Sequence, residues 1–263
     1  MATDLRPLRD DLAAESDALC SILADLTPEQ WLLPTPAAGW TIADQVSHLA
    51  YFDDTTLMSL VNPERFRWEA TALTAAGDDF ADRVAVEHRG LTGEQLLDWF
   101  RTSRKALIAG YGDVDPAARL PWYGPDMGVA SSITARLMET WAHTQDIADT
   151  VGVRREPTSR LRHVAHIGIR ALRYSFRVNG LAVPDAPIRV DLAGPDGDIW
   201  SWGPVDAVDR VTGTAMDFCL VVTQRRHRDD TALAVTGDTA LAWIAIAQAF
   251  AGPAGPGRAR EVR

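Results

Sequence analysis

The 263-residue chain is 46% apolar with a formal charge of −10, so it is globular and long enough for two modest cores. The negative balance excludes nucleic acid and anionic membrane surfaces as partners. No apolar run reaches the ~18 residues of a membrane span and no signal-peptide pattern opens the chain, which predicts a cytoplasmic protein.

The first half reads as helical. Leu8, Leu12, Leu19, Leu23 and Leu26 follow a 3.6-residue period and predict a long first helix. Pro34 and Pro36 make the stretch from Leu32 to Gly39 a connection, since neither fits inside a helix. Thr41-Ile42-Ala43-Asp44 is a capping-box-like start for a second helix, with Asp44 in the place of the usual Glu. A third helical region starts at about Asp78 and resumes at Thr92, carrying Leu96, Leu97, Phe100, Leu107 and Ile108. The fourth runs from Ser131 to about Val151. These elements predict a four-helix bundle over residues 1–155.

After Gly152 the texture changes. Ser159 to about Val178 is helical in pattern, with Leu161, Val164, Ile167, Leu172 and Phe176 on one side. Ile188 to Leu192 alternates with period two, and Asp196-Gly197 signals a hairpin into Ile199-Trp200-Ser201-Trp202. Val208 to Thr212 and Leu233 to Val235 read as short strands, and Thr214 to Gln224 and Thr239 to Phe250 as helices. Residues 156–255 are thus predicted as an α+β domain, a small sheet with helices on one face, and 256–263 as a disordered tail. The fold class is two-domain α+β. Cys20 and Cys219 lie inside apolar helical patterns and read as reduced core residues rather than a disulfide.

The fourth helix carries a polar stripe. Arg136, Glu139, His143 and Asp146 recur at offsets of three, four and three residues, which stacks them along one helical face. Two readings fit this spacing. Arg136 with Glu139 and His143 with Asp146 form a solvated ion-pair ladder, with His48 a hydrogen-bonded core residue. Alternatively, Glu139 and His143, one turn apart, ligate a divalent ion together with His48 from the second helix, leaving a position open for water or substrate. The Glu-x-x-x-His spacing alone is short and common. His163 and His166 read as solvated or interdomain residues, and His88 and His227, flanked by charges, as exposed.

Taken together, the segments from Trp40 to Leu49 and from Arg136 to Asp146 resemble the metal-binding pattern of the DinB-like superfamily. They are more narrowly similar to the actinobacterial mycothiol-dependent maleylpyruvate isomerases. The order of elements agrees with that family: a four-helix bundle, then an α+β domain similar to sterol carrier proteins. The resemblance implies that His48, Glu139 and His143 bind the metal, most simply Zn2+, although N/O ligands accept several ions. It also implies that Arg136 and Asp146 orient those ligands. An Arg near the end of a C-terminal helix falls on Arg225, with Arg226 as the other candidate, and surface charge remains the alternative for both.

The resulting expectation is a metal-dependent isomerase or S-transferase that uses a low-molecular-weight thiol, mycothiol, on a small electrophilic substrate. The second domain would cover the bundle, with Arg225 catalytic in binding a substrate carboxylate. A second reading dispenses with the thiol and uses metal-bound water or a metal-polarised carbonyl for hydrolysis, cyclisation or rearrangement. A third is a small-molecule or lipid carrier with a structural metal site. The protein is expected to be a monomer or homodimer. Fold and metal site together do not determine the substrate.

Overall fold

The computed structural model describes residues 4–77 and 79–261. The chain forms two compact units, Met1–Arg154 and Arg155–Arg263. Among the described residues no helix is long and apolar enough to cross a membrane.

The first unit is built on four long helices: α1 (Arg6–Ala24), α2 (Ile42–Val61), α5 (Gly93–Asp113) and α6 (Val129–Val151). The shorter α3 (Pro63–Ala75) and α4 (Phe80–Glu87) lie between α2 and α5. The period read in α1 is the buried stripe, with Leu12, Leu19 and Leu23 in the core. Leu19 and Leu23 pack with Trp31, Val46, Leu49, Leu96, Phe100 and Ile147, so the apolar faces of all four long helices meet.

The start of α2 is set by the capping box: the Thr41 side chain accepts from the Asp44 backbone N–H, and Asp44 accepts from the Thr41 N–H at 2.8 Å. Thr41→Ala is expected to cost about 1 kcal/mol, read by urea unfolding. No loss in that variant would mean that the cap is redundant with packing. At the same end of the bundle, α6 stops at Gly152, whose φ of 72° lies in the left-handed region.

The helical region expected from about Asp78, itself outside the described residues, and resuming at Thr92 is α4 followed by α5. Two features of this unit differ from expectation. Helix α3 went unrecognised because it buries only Phe66 and Ala70, too few positions for a periodic signal, although Asn62 caps it and Pro63 starts it. A two-residue pair, β1 (Arg119–Leu120) with antiparallel β2 (Met127–Gly128), closes the loop that carries Trp122 and Tyr123.

In the second unit, α7 (Leu161–Arg170) and α8 (Leu172–Val178) replace the single helix expected over the same stretch. The sheet follows in the order β4-β3-β5-β6, from β3 (Ile188–Ala193), β4 (Ile199–Trp202), β5 (Asp209–Thr214) and β6 (Ala234–Thr236). Strand β3 is antiparallel to β4, across a turn in which Gly197 takes φ 86°, and parallel to β5. The period-two pattern buries Val190, Leu192 and Val211. Helices α9 (Ala215–Val222) and α10 (Asp238–Ile246) bring Phe218, Cys219, Trp243 and Ile244 into this core. Both cysteines are free thiols. Residues 256–261, expected as a disordered tail, run along this unit, with the Glu261 N–H donating to Asp230 at 2.8 Å.

Candidate metal centre

Helix α2 presents His48, and α6 presents Glu139 and His143 one turn apart on the same face. Packing of α2 on α6 brings one donor atom from each residue within 4.8 Å of the others. His48 Nε2 lies 3.6 Å and His143 Nε2 3.1 Å from Glu139 Oε2. The side chains of His48, Glu139 and His143 are 13%, 22% and 9% exposed, so the cluster is mostly enclosed and keeps some contact with solvent. Trp40 stacks on the His143 ring at 5.9 Å, and Phe52 packs on His48 at 4.6 Å.

Burial works against the charge on Glu139, but hydrogen bonding and charge from His143 and His48 outweigh it and hold the carboxyl well below its ordinary range. Burial, followed by the charge of His143, brings the His48 imidazole down to about 4, against the pull of Glu139. At neutral pH the cluster therefore offers an ionised carboxylate and a neutral imidazole, the protonation states that a metal ion requires.

The Gln45 side-chain oxygen sits against His143 Nδ1, and His143 Nε2 faces Glu139 Oε2 at 3.1 Å. A proton on Nε2, or a cation between the two atoms once the ring is neutral, satisfies that contact. His48 Nδ1 is buried without a hydrogen-bond partner among the described residues, so ring packing holds that imidazole. Two imidazole nitrogens and one carboxylate oxygen fit a divalent ion such as zinc.

Beside the cluster lies a buried ionic node. Asp53, fully enclosed on α2, takes Arg104 of α5 at 2.7 and 3.0 Å and Arg136 of α6 at 3.0 Å. Arg136 also donates to the Leu49 carbonyl at 3.1 Å. Arg104 adds Ser16 on α1 at 2.6 Å and Thr140 on α6 at 3.0 Å, so all four long helices meet here. The solvated-ladder alternative does not hold, because Arg136, His143 and Asp146 are all buried. Arg136 is engaged with Asp53 and the backbone next to His48, which holds α2 against α6 beside the donor atoms.

Gln45, Asp53 and Arg104 escaped the sequence reading. A lone polar residue in an apolar helical pattern was the available signal, but its partners lie on other helices. Arg225 lies in the turn after α9, half-buried, and donates to the Thr223 carbonyl at 2.7 Å. The preceding Gln224 takes φ 60°, a left-handed conformation rare outside glycine. His88 and His227, expected to be exposed, are both partly buried; His88 bonds the Val84 carbonyl and packs on Trp99 at 4.7 Å. His163 is half-buried and His166 exposed.

The family model of the mycothiol maleylpyruvate isomerase N-terminal domain matches residues 12–148. The wyosine base formation model matches residues 184–236, within the part of the chain expected to resemble sterol carrier proteins. Two uncharacterized proteins of Mycobacterium tuberculosis, one from each of two strains, are 46% identical over 255 residues, covering 97% of this chain and 99% of each relative. Crystal structures of the mycothiol-dependent maleylpyruvate isomerase and of a histidine-to-alanine variant share the fold, with a TM-score of 0.60. They cover 90% of this chain and 94% of theirs at 14% identity. On its first half, the chain belongs to the family of the mycothiol maleylpyruvate isomerase N-terminal domain.

Proposed function

We propose that this protein is a metal-dependent isomerase or S-transferase, using a low-molecular-weight thiol, mycothiol, to isomerise a small electrophilic substrate or joining that thiol to it. The observation that carries this reading is the convergence of His48, Glu139 and His143 donor atoms within 4.8 Å, with His48 and Glu139 partly exposed. Membership of the mycothiol maleylpyruvate isomerase N-terminal domain family supports a thiol as the cosubstrate. A divalent ion held by these three residues, zinc in our reading, would supply Lewis acidity and favour the deprotonated form of a thiol.

The chain's own residues have separate tasks. His48 and His143 would each give the ion an imidazole nitrogen, and Glu139 would offset part of its positive charge. Arg136 and Asp146 support the ligands, Arg136 by tying α2 to α6 through Asp53 and the Leu49 carbonyl. Phe52 excludes water beside His48. Phe80, Trp122 and Tyr123, each half-buried, have rings within 6.3 Å of the Phe52 ring and favour a planar, unsaturated carbon skeleton. Arg225 is proposed to bind an acidic substituent of the substrate. The thiolate sulfur bonds to an electrophilic carbon of an unsaturated substrate as the carbon–carbon π bond opens and its electron pair moves onto the conjugated acceptor group. Rotation about the resulting single bond, return of that pair and expulsion of the same thiolate is isomerisation, whereas protonation of the adduct with retention of the S–C bond gives the S-conjugate.

The cobalt-loaded protein tests the thiol. Adding mycothiol is expected to produce an intense near-ultraviolet charge-transfer band that grows with pH as the thiol loses its proton, and that is absent in His48→Ala. A cobalt spectrum indifferent to mycothiol and to smaller thiols would favour chemistry through water or a carbonyl instead.

A further inference from the structure

The stretch 33–41, predicted only as a connection, is wired into the donor cluster by hydrogen bonds whose direction is determined at the far end. Thr35 Oγ1 lies 2.9 Å from the Trp40 carbonyl and 3.5 Å from the Ala37 carbonyl. A backbone carbonyl only accepts, so the single hydroxyl proton of Thr35 is committed in that direction. Toward Gln45, at 2.8 Å, the same oxygen must accept, and the amide nitrogen of Gln45 donates. The amide oxygen is thereby turned to His143 Nδ1, which must carry its hydrogen. In the neutral ring the lone pair is then on His143 Nε2, the atom that faces Glu139 Oε2.

We propose that Gln45, backed by Thr35, is a positioning residue that selects the Nδ1–H tautomer of His143 and so decides which nitrogen is offered to a metal ion. Both side chains are buried, Gln45 completely, so bulk water cannot replace either partner. The turn that orients the amide also places the indole. The Thr35 N–H donates to the Trp40 carbonyl at 2.7 Å, Pro34 pairs with Thr41, and the Trp40 ring lies at 12° to that of His143. His143 is thus held by a directed hydrogen bond and by stacking, whereas His48 is held by ring packing. The effect on metal affinity rests on the metal reading above; the tautomer does not.

The full chain, metal-free and labelled with 15N-histidine, reports the tautomer through long-range 1H–15N correlations at mildly alkaline pH. Wild type is expected to show His143 as Nδ1–H. Gln45→Leu should lose that preference and bind zinc ~10–100-fold more weakly in competition with a chromophoric chelator. Gln45→Glu retains an acceptor and should restore the tautomer, separating lost orientation from a damaged fold. Thr35→Val should shift it in the direction of Gln45→Leu, by less. An unchanged Nδ1–H signal in Gln45→Leu would overturn the proposal whatever zinc does. A tautomer that shifts in a protein binding no zinc would sustain it while removing the metal reading.

Discussion

Replacing His48, Glu139 and His143 together by alanine is expected to take the zinc content from about one ion per chain to none, with the helical circular dichroism largely intact. The loss should be complete because the described residues offer no other cluster of metal-ligating side chains. The helices should persist because the four-helix core and the Asp53 node do not depend on these side chains. Thermal unfolding adds a second readout. An ion that binds only the folded chain stabilises it by about 4 kcal/mol at a thousandfold excess over Kd. Wild type should gain that increment on zinc addition and the triple variant should not. Undiminished metal content in the variant would sink the assignment.

The second large effect is expected at Asp53. Its carboxylate is shared by two guanidiniums, Arg104 and Arg136, all within the bundle interior. Removing it leaves two cations side by side in a low-dielectric core, since the Ser16 and Thr140 hydroxyls supply hydrogen-bond acceptors but no charge. Breaking one side of a buried pair typically costs 3–5 kcal/mol, and Asp53→Ala is expected to lose about that much in urea unfolding. Zinc affinity should fall in parallel, because Arg136 would no longer hold α2 beside His48 and Glu139. Arg65→Ala is the control. Arg65 pairs with Glu69 in solvent, where such a pair contributes less than about 1 kcal/mol. A loss at Asp53 no larger than at Arg65 would show that the node carries no net stabilisation.

Periodicity by itself determined the long helices, because an apolar stripe at 3.6 residues must be buried, and Leu12, Leu19 and Leu23 announce their face without reference to any partner. The Thr41–Asp44 cap and the Asp196-Gly197 hairpin were legible for the same reason: their hydrogen bonds and turn conformation are local. So was the placement of Glu139 and His143 on one face, which four-residue spacing dictates on any α-helix. The resemblance carried by Trp40 to Leu49 and Arg136 to Asp146 extended that reading to the family. Only the tertiary structure decided what surrounds those residues. Arg136 meets Asp53, distant by 83 positions, and Gln45 meets His143 across 98, and no local pattern encodes either pair. The same limit explains α3, whose two buried side chains make no stripe. Local geometry and solvent aversion are written along the chain, whereas the partner of a buried polar group is chosen by the packing of helices far apart in sequence.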